Sequence, residues 1–273
     1  MRLCHEVRGR GAPVVLIAGL SQIGATWGPV VDGLSDYFQV VTVDNRETGG
    51  TGASGAPFTL ADCATDVLET LTALGHEHFG VVGTSMGGMI AQEVVRLAPE
   101  RARGAVFMST AGGTTGLVPG DASALLPPVG FAMEGAGTDD RVNIVRARSP
   151  LLCGPGFADA HPEIIDAQAR LTAARPTPVE GILRQLQAIS MFDPGDALVG
   201  TATRALVAHG TADPLVPFEN GRRLAERLGA PLAAFENAGH LLHIERTAAV
   251  VELLCDHLTA PRSTGGSAIG KER

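Results

Sequence analysis

The sequence predicts an α/β fold: a doubly wound, mostly parallel sheet with a helical lid inserted between two of its strands. Three observations predict it. Six short, nearly continuous apolar runs recur along the chain, separated by segments whose apolar residues fall at helical spacing. One run, Phe79 to Val82, leads straight into Gly83-Thr84-Ser85-Met86-Gly87 and then into a helix-like segment. Finally, roughly ninety residues, Ala111 to about Thr203, separate two runs that elsewhere lie much closer, which is too long for a loop.

The runs are Val14 to Ile17, Val40 to Val43, Phe79 to Val82, Ala105 to Met108, Ala205 to Ala208 and Leu232 to Phe235. None alternates with polar residues, the pattern of strands buried on both faces in a parallel sheet covered by helices. Leu3 to Val7 supplies a further edge strand. Between the runs, Leu60 to Leu74 reads as a helix capped by Thr59 and ended by Gly75, and Met86 to Leu97 and Phe218 to Leu228 read likewise. Thr247 to Leu258 forms the last helix, and Trp27 packs where the first helix begins. Alternating strands and helices imply the doubly wound architecture. Within the long span, Gly112 to Gly137 is rich in Gly and Pro, while Arg141 to Arg148, Ile164 to Leu171 and Val179 to Ser190 are helix-like. The expected partition is a core of residues 1–110 and 204–260, a lid of 111–203, and a solvated tail of 261–273 with no apolar period.

Composition narrows the function. Of 273 residues 45% are hydrophobic and 18% charged, an ordinary globular balance able to bury a sizeable core. The formal net charge of −8 and the lack of a basic stripe argue against a nucleic-acid partner, since phosphate contacts need clustered Lys and Arg. Cys4, Cys63, Cys153 and Cys255 show no C-x-x-C spacing, so neither a zinc site nor a redox pair is expected. No stretch approaches the roughly 18 apolar residues of a membrane helix, and Met1 to Gly11 has no apolar leader core, so the expected location is cytoplasmic. The expected partner is a small-molecule substrate. The sequence carries no signal for an oligomeric state.

The G-x-S-x-G pattern at Gly83 to Gly87 places Ser85 on a sharp strand-to-helix turn, with its hydroxyl exposed and the next amide pointing at the same space. In a chain of 35 glycines such a pattern arises by chance, so its partners decide its meaning. Asp213 lies a few residues past the run ending at Ala208, and His240 lies just past the run ending at Phe235. The order Ser85, Asp213, His240 is the one a nucleophile elbow requires.

With Gly-Thr-Ser-Met-Gly-Gly at 83–88, His-Gly-Thr-Ala-Asp-Pro-Leu-Val-Pro at 209–217 and Ala-Gly-His at 238–240, the chain resembles the α/β-hydrolase fold family over about residues 10 to 258. The resemblance implies a serine esterase or lactonase chemistry with Ser85 as nucleophile, His240 as base and Asp213 as its orienting acid. It also implies an oxyanion hole from the backbone amides of Met86 and Leu20, and no metal or organic cofactor. Two departures stand out. Ala18 occupies the place of the histidine that braces the oxyanion loop, and Glu47 and Thr51 replace a glycine and a serine in Asp44-Asn45-Arg46-Glu47-Thr48-Gly49-Gly50-Thr51. In Glu47 and in Gly19-Leu20 the chain is similar, over a short stretch, to the methylesterases of polyketide tailoring.

Asp193 and Asp196 are alternative triad acids, with local capping as the preferred reading, and Asp44 and Arg46 read as a turn with local ion pairing. His209 reads as a hydrogen-bonded turn residue and His243 as the start of the last helix. The leading function is hydrolysis of a carboxylic ester, thioester or lactone of a small hydrophobic substrate through an acyl-serine. The alternatives are carbon-carbon bond hydrolysis with the same triad, or a natural-product cyclase or binding protein that does not use the serine as nucleophile. Leu125, Leu126, Phe131, Met133, Leu151, Leu152 and Phe157 are the residues expected to line an apolar lid pocket.

Overall fold

The strands are β1 (His5–Gly9), β2 (Ala12–Ile17), β3 (Phe38–Val43), β4 (Phe79–Thr84), β5 (Ala102–Met108), β6 (Arg204–Gly210) and β7 (Leu232–Phe235). They form one seven-stranded sheet of order β1-β3-β2-β4-β5-β6-β7 in a computed structural model that describes residues 1–121, 137–201 and 203–259. Every pairing is parallel except β1 with β3. The edge strand is displaced by two residues from its expected place, because its antiparallel register sets His5 opposite Val43 and Gly9 opposite Gln39. Leu3, ahead of it, is buried in the core instead.

The apolar strands follow from burial on both faces. Successive side chains point to opposite sides. Val15, Ile17, Val81, Phe107 and Val207 pack on one face against α2 (Leu60–Ala73), α3 (Met86–Leu97) and α8 (Phe218–Leu228). Val14, Leu16, Val82, Val106 and Ala208 pack on the other against α1 (Gly28–Leu34) and α10 (Thr247–Thr259). Phe107 lies on β5, between β4 and β6, with 1% of its surface exposed. Phe107→Ala is expected to cost about 3–5 kcal/mol of unfolding free energy, read as a lower midpoint in urea.

The helix ends obey local chemistry. Thr59 accepts the Asp62 amide at 3.2 Å while the Asp62 carboxylate accepts the Thr59 amide at 2.8 Å, a reciprocal cap on α2. Gly75 follows in the left-handed region with φ 80°.

Among the described residues, four α-helices lie between β5 and β6: α4 (Thr138–Arg148), α5 (Phe157–Ala160), α6 (Pro162–Ala174) and α7 (Val179–Ser190). The short α5 and the one-turn α9 (Leu242–Glu245), which precedes α10, are too brief to leave a periodic signature and went unpredicted. His243 belongs to α9 rather than to the last helix. Among the described residues, no helix is long and apolar enough to cross a membrane. The expected tail and Leu125, Leu126, Phe131 and Met133 lie outside the described residues.

Candidate active site

The strand order places β2 and β4 side by side although the chain runs away from them in opposite directions, through β3 and through β5. In open α/β sheets the crevice at such a reversal, beyond the carboxyl ends of the strands, is where ligands bind. Gly19 and Leu20 follow β2 there, and Ser85 follows β4.

Ser85 adopts φ 56° and ψ −123°, a conformation that L side chains rarely take. Its surroundings fix it. The Ser85 amide donates to Met108 O at 2.9 Å, and its carbonyl accepts from Thr110 Oγ1 at 2.8 Å and from the Gly88 amide at 2.9 Å. The flanking glycines are sterically required: a Cβ on Gly83 would sit 2.0 Å from Gly87 O, and one on Gly87 would sit 2.1 Å from Ile17 O. The elbow thus depends on α3 lying directly on β4 and β2. Met86 is the first residue of α3, so its amide has no carbonyl one turn back and stays available to a ligand.

Asp213 and His240 come together as the sequence anticipated. His240 Nδ1 donates to Asp213 Oδ2 at 2.8 Å, and both side chains are buried. The other carboxylate oxygen accepts the amides of Leu215 at 3.0 Å and Val216 at 2.9 Å. Burial pushes the Asp213 carboxyl up, but the charge and hydrogen bond of His240, together with His209, outweigh it and hold it well below the usual carboxylate range. With Nδ1–H committed to an ionised carboxylate, the neutral His240 ring keeps its Nε2 lone pair for accepting a proton. His209 Nε2 donates to Val216 O at 2.7 Å and so secures the loop that carries Asp213, the turn role expected of it.

The histidine loop is held from two sides. The His240 amide donates to Leu152 O at 2.7 Å. The Glu245 carboxylate accepts the Gly239 amide at 3.0 Å and the Gly154 amide at 2.9 Å, and burial raises its pKa despite these bonds. Residues 152–154, in the span between β5 and β6, are therefore stapled to the loop bearing His240.

Ser85 and His240 open onto a cavity of about 320 Å³. Its walls are mainly apolar, among them Leu20, Met89, Leu152, Leu186, Ile189 and Leu215, with Asp121 and Arg148 as charged residues in the lining. Burial lowers the Arg148 pKa to about 10. Leu152 lines the cavity as anticipated, but Leu151 is exposed, and Phe157 packs instead with Ile165, Leu241 and Ile244 in a separate cluster. A composition rich in Leu and Phe does not say which face of the insertion each residue meets.

The remaining candidates resolve into structure. Asp193 caps no helix: it accepts the Thr115 hydroxyl and the Gly195 amide and so ties together two segments 78 residues apart. Asp44 accepts the amides of Gly24 and Gly50, both at 2.8 Å, and Arg46 pairs with Asp66. Trp27 is buried at the start of α1, its ring 4.5 Å from that of His243.

His243 carries a prediction. It is buried beside His240 at the cavity wall, and burial first, then the neighbouring His240, pulls its pKa down to about 3. Its ordinary value is about 6.5, so between these values the unfolded chain binds a proton that the folded chain refuses. Stability therefore falls as pH drops below about 6.5 and recovers above it. His243→Phe, which keeps the stack on Trp27, is expected to flatten the decline of the thermal midpoint between about pH 6.5 and pH 4.

The sheet, the strand-turn-helix elbow and the crevice place the chain in a broad class, the hydrolytic enzymes of the α/β fold. Residues 14–253 match the alpha/beta hydrolase family, and the chain belongs to that family of hydrolases. A protein of Agrobacterium fabrum named "Putative carbamate hydrolase RutD" is 30% identical over 251 residues, which is 88% of this chain and 91% of the relative. The enol-lactonase of Burkholderia xenovorans LB400 shares the fold with a TM-score of 0.80 at 24% identity, over 94% of this chain and 96% of that one. The 2-hydroxy-6-oxo-6-phenylhexa-2,4-dienoate hydrolase of Rhodococcus sp. strain RHA1 shares it with a TM-score of 0.74 at 22% identity, over 94% of each chain.

Proposed function

We propose that the protein hydrolyses a carboxylic ester, thioester or lactone of a small hydrophobic substrate through an acyl-serine at Ser85. The observation that carries this reading is the buried His240–Asp213 pair, 2.8 Å apart, opening with Ser85 onto one mainly apolar cavity. Ser85 Oγ attacks the acyl carbonyl while its proton passes to His240 Nε2, and Asp213 stabilises the imidazolium that results. The carbonyl oxygen becomes an oxyanion, and the Leu20 and Met86 amides receive it. Collapse of the intermediate breaks the bond to the leaving group, which takes the proton from His240. Water then attacks the acyl-serine by the same route in reverse, with His240 as base.

Residues 111–203 act in this reading as a lid over the crevice: Leu152, Leu186 and Ile189 of that span form cavity wall and exclude water from the acyl group. Apolar lining and modest volume favour short to medium uncharged acyl groups. A panel of p-nitrophenyl esters from acetate to octanoate, with thioesters and lactones of matching size, tests the reading. Turnover is expected to peak at a medium acyl chain and to fall for longer ones. Absence of turnover across the whole panel would refute it.

A further inference from the structure

The oxyanion loop lacks the histidine that braces it in family members, and Ala18 has no side chain with which to replace it. Something else must hold Leu20, because the loop is strained. Ser21, next to it, lies in the left-handed region at φ 60°, unfavourable for a residue with a Cβ and maintained only where the surroundings over-determine it. Ahead of Leu20, Asn45 Nδ2 donates to Ala18 O at 3.0 Å and the Gly19 amide donates to Gln22 Oε1 at 3.3 Å; beyond it, Ser21 is held from the span between β5 and β6. The Ser21 amide donates to Gln185 Oε1 at 2.9 Å, and Thr177 Oγ1 donates to Ser21 O at 3.2 Å. Gln185 Nε2 in turn donates to Arg46 O at 2.7 Å, so the carboxamide bridges the loops after β2 and β3 and is itself fully buried. Both ends of the carboxamide are used, which fixes its orientation.

A second tether runs beside it. Glu47, where the family has glycine, sits at φ 74°, and its buried carboxylate pairs with Arg184 of α7 at 2.7 Å and accepts the Ser54 amide at 2.9 Å. Its left-handed backbone explains why glycine suits this position. Helix α7 packs so closely there that a Cβ on Gly181 would meet Glu47 Cβ at 2.8 Å.

The same helix contributes Leu186 and Ile189 to the cavity wall. We propose that Gln185 is a positioning residue that builds the oxyanion hole from the lid: its carboxamide holds Ser21, and through it the Leu20 amide, in the place where negative charge develops. Seating of α7 over the substrate and completion of the hole are then one event. Substrate that presses on Leu186 and Ile189 keeps Gln185 against Ser21, and a lid lifted from the crevice leaves the hole with one donor. This rests on the acyl-serine reading.

The test uses a fluorophosphonate, which requires the same hole. Ser85 Oγ bonds to phosphorus, fluoride leaves, and the hydroxyl proton passes to His240. Gln185 does not line the cavity, so Gln185→Met is expected to lower both the phosphonylation rate constant and the kcat on a p-nitrophenyl ester roughly 10- to 100-fold, with KM within about twofold. Thr177→Val should move both in the same direction by a smaller factor, and it carries the test should Gln185→Met fail to fold. The double variant Glu47→Gly/Arg184→Met cuts the neighbouring tether while placing glycine at a positive φ, and it should keep both rates within about threefold. Two results overturn the brace: wild-type rates in Gln185→Met and Thr177→Val, or an equal loss in Glu47→Gly/Arg184→Met, which would make general loosening of α7 the cause. No adduct at Ser85 in the wild-type protein would overturn the acyl-serine reading and the brace with it. A reacting wild type with unaffected Gln185 and Thr177 variants would remove the brace alone.

Discussion

Ser85→Ala is expected to lower kcat on any ester that the wild-type protein hydrolyses by about 10⁴- to 10⁶-fold, with little change in KM where KM reports binding. The Ser85 backbone is fixed from three directions by Met108, Thr110 and Gly88, so the alanine methyl should occupy the same spot without moving the elbow. What disappears is the atom proposed to form the acyl bond, while the cavity and the two amides proposed for the oxyanion hole persist. The residual rate should match that of hole and binding alone, and the thermal midpoint should be nearly unchanged. Loss of activity together with a large loss of stability would point to collapse of the elbow rather than of the chemistry.

Asp213→Asn is expected to lower kcat by about 10⁴-fold with the fold intact. The asparagine oxygen can still accept the Leu215 and Val216 amides, so the loop should keep its shape. Its amide nitrogen, however, faces His240 Nδ1, where an acceptor stood 2.8 Å away. A donor there makes the ring accept at Nδ1 and carry its proton on Nε2, the atom that must take the serine proton. The base is then present but in the wrong tautomer. Steady-state kinetics at neutral pH read the loss. A variant within about tenfold of wild type would remove Asp213 from the acid's role.

How far the sequence could be read depends on how local each signal is. The β4 strand, the elbow and α3 occupy contiguous residues, and both glycines are demanded by backbone contacts that the G-x-S-x-G spacing encodes. Asp213 and His240 are far apart in the chain, but each follows a strand, and parallel strands deliver their carboxyl ends to one edge. Their meeting could therefore be inferred from order alone. Gln185 could not. It lies 164 residues from Ser21 on a helix whose rotation over the sheet is set by packing, and Gln at a helical position carries no mark of its partner. Thr110 is similar: it reaches back to Ser85 O only because β5 lies beside β4. Phe157 fails for a related reason, since its apolar character is satisfied by Ile165, Leu241 and Ile244 and not by the cavity. Ala18 and Glu47 were visible as departures, yet the partners of Ser21 and Glu47 were not, because Gln185 and Arg184 reach them from α7.

Acylation of Ser85 during turnover is read most directly by mass spectrometry of protein quenched in acid while it turns over a p-nitrophenyl ester, followed by peptide mapping. One added acyl mass is expected on the peptide containing Ser85, absent in Ser85→Ala. Steady turnover with no acylated peptide, or with the acyl group on another residue, would contradict it.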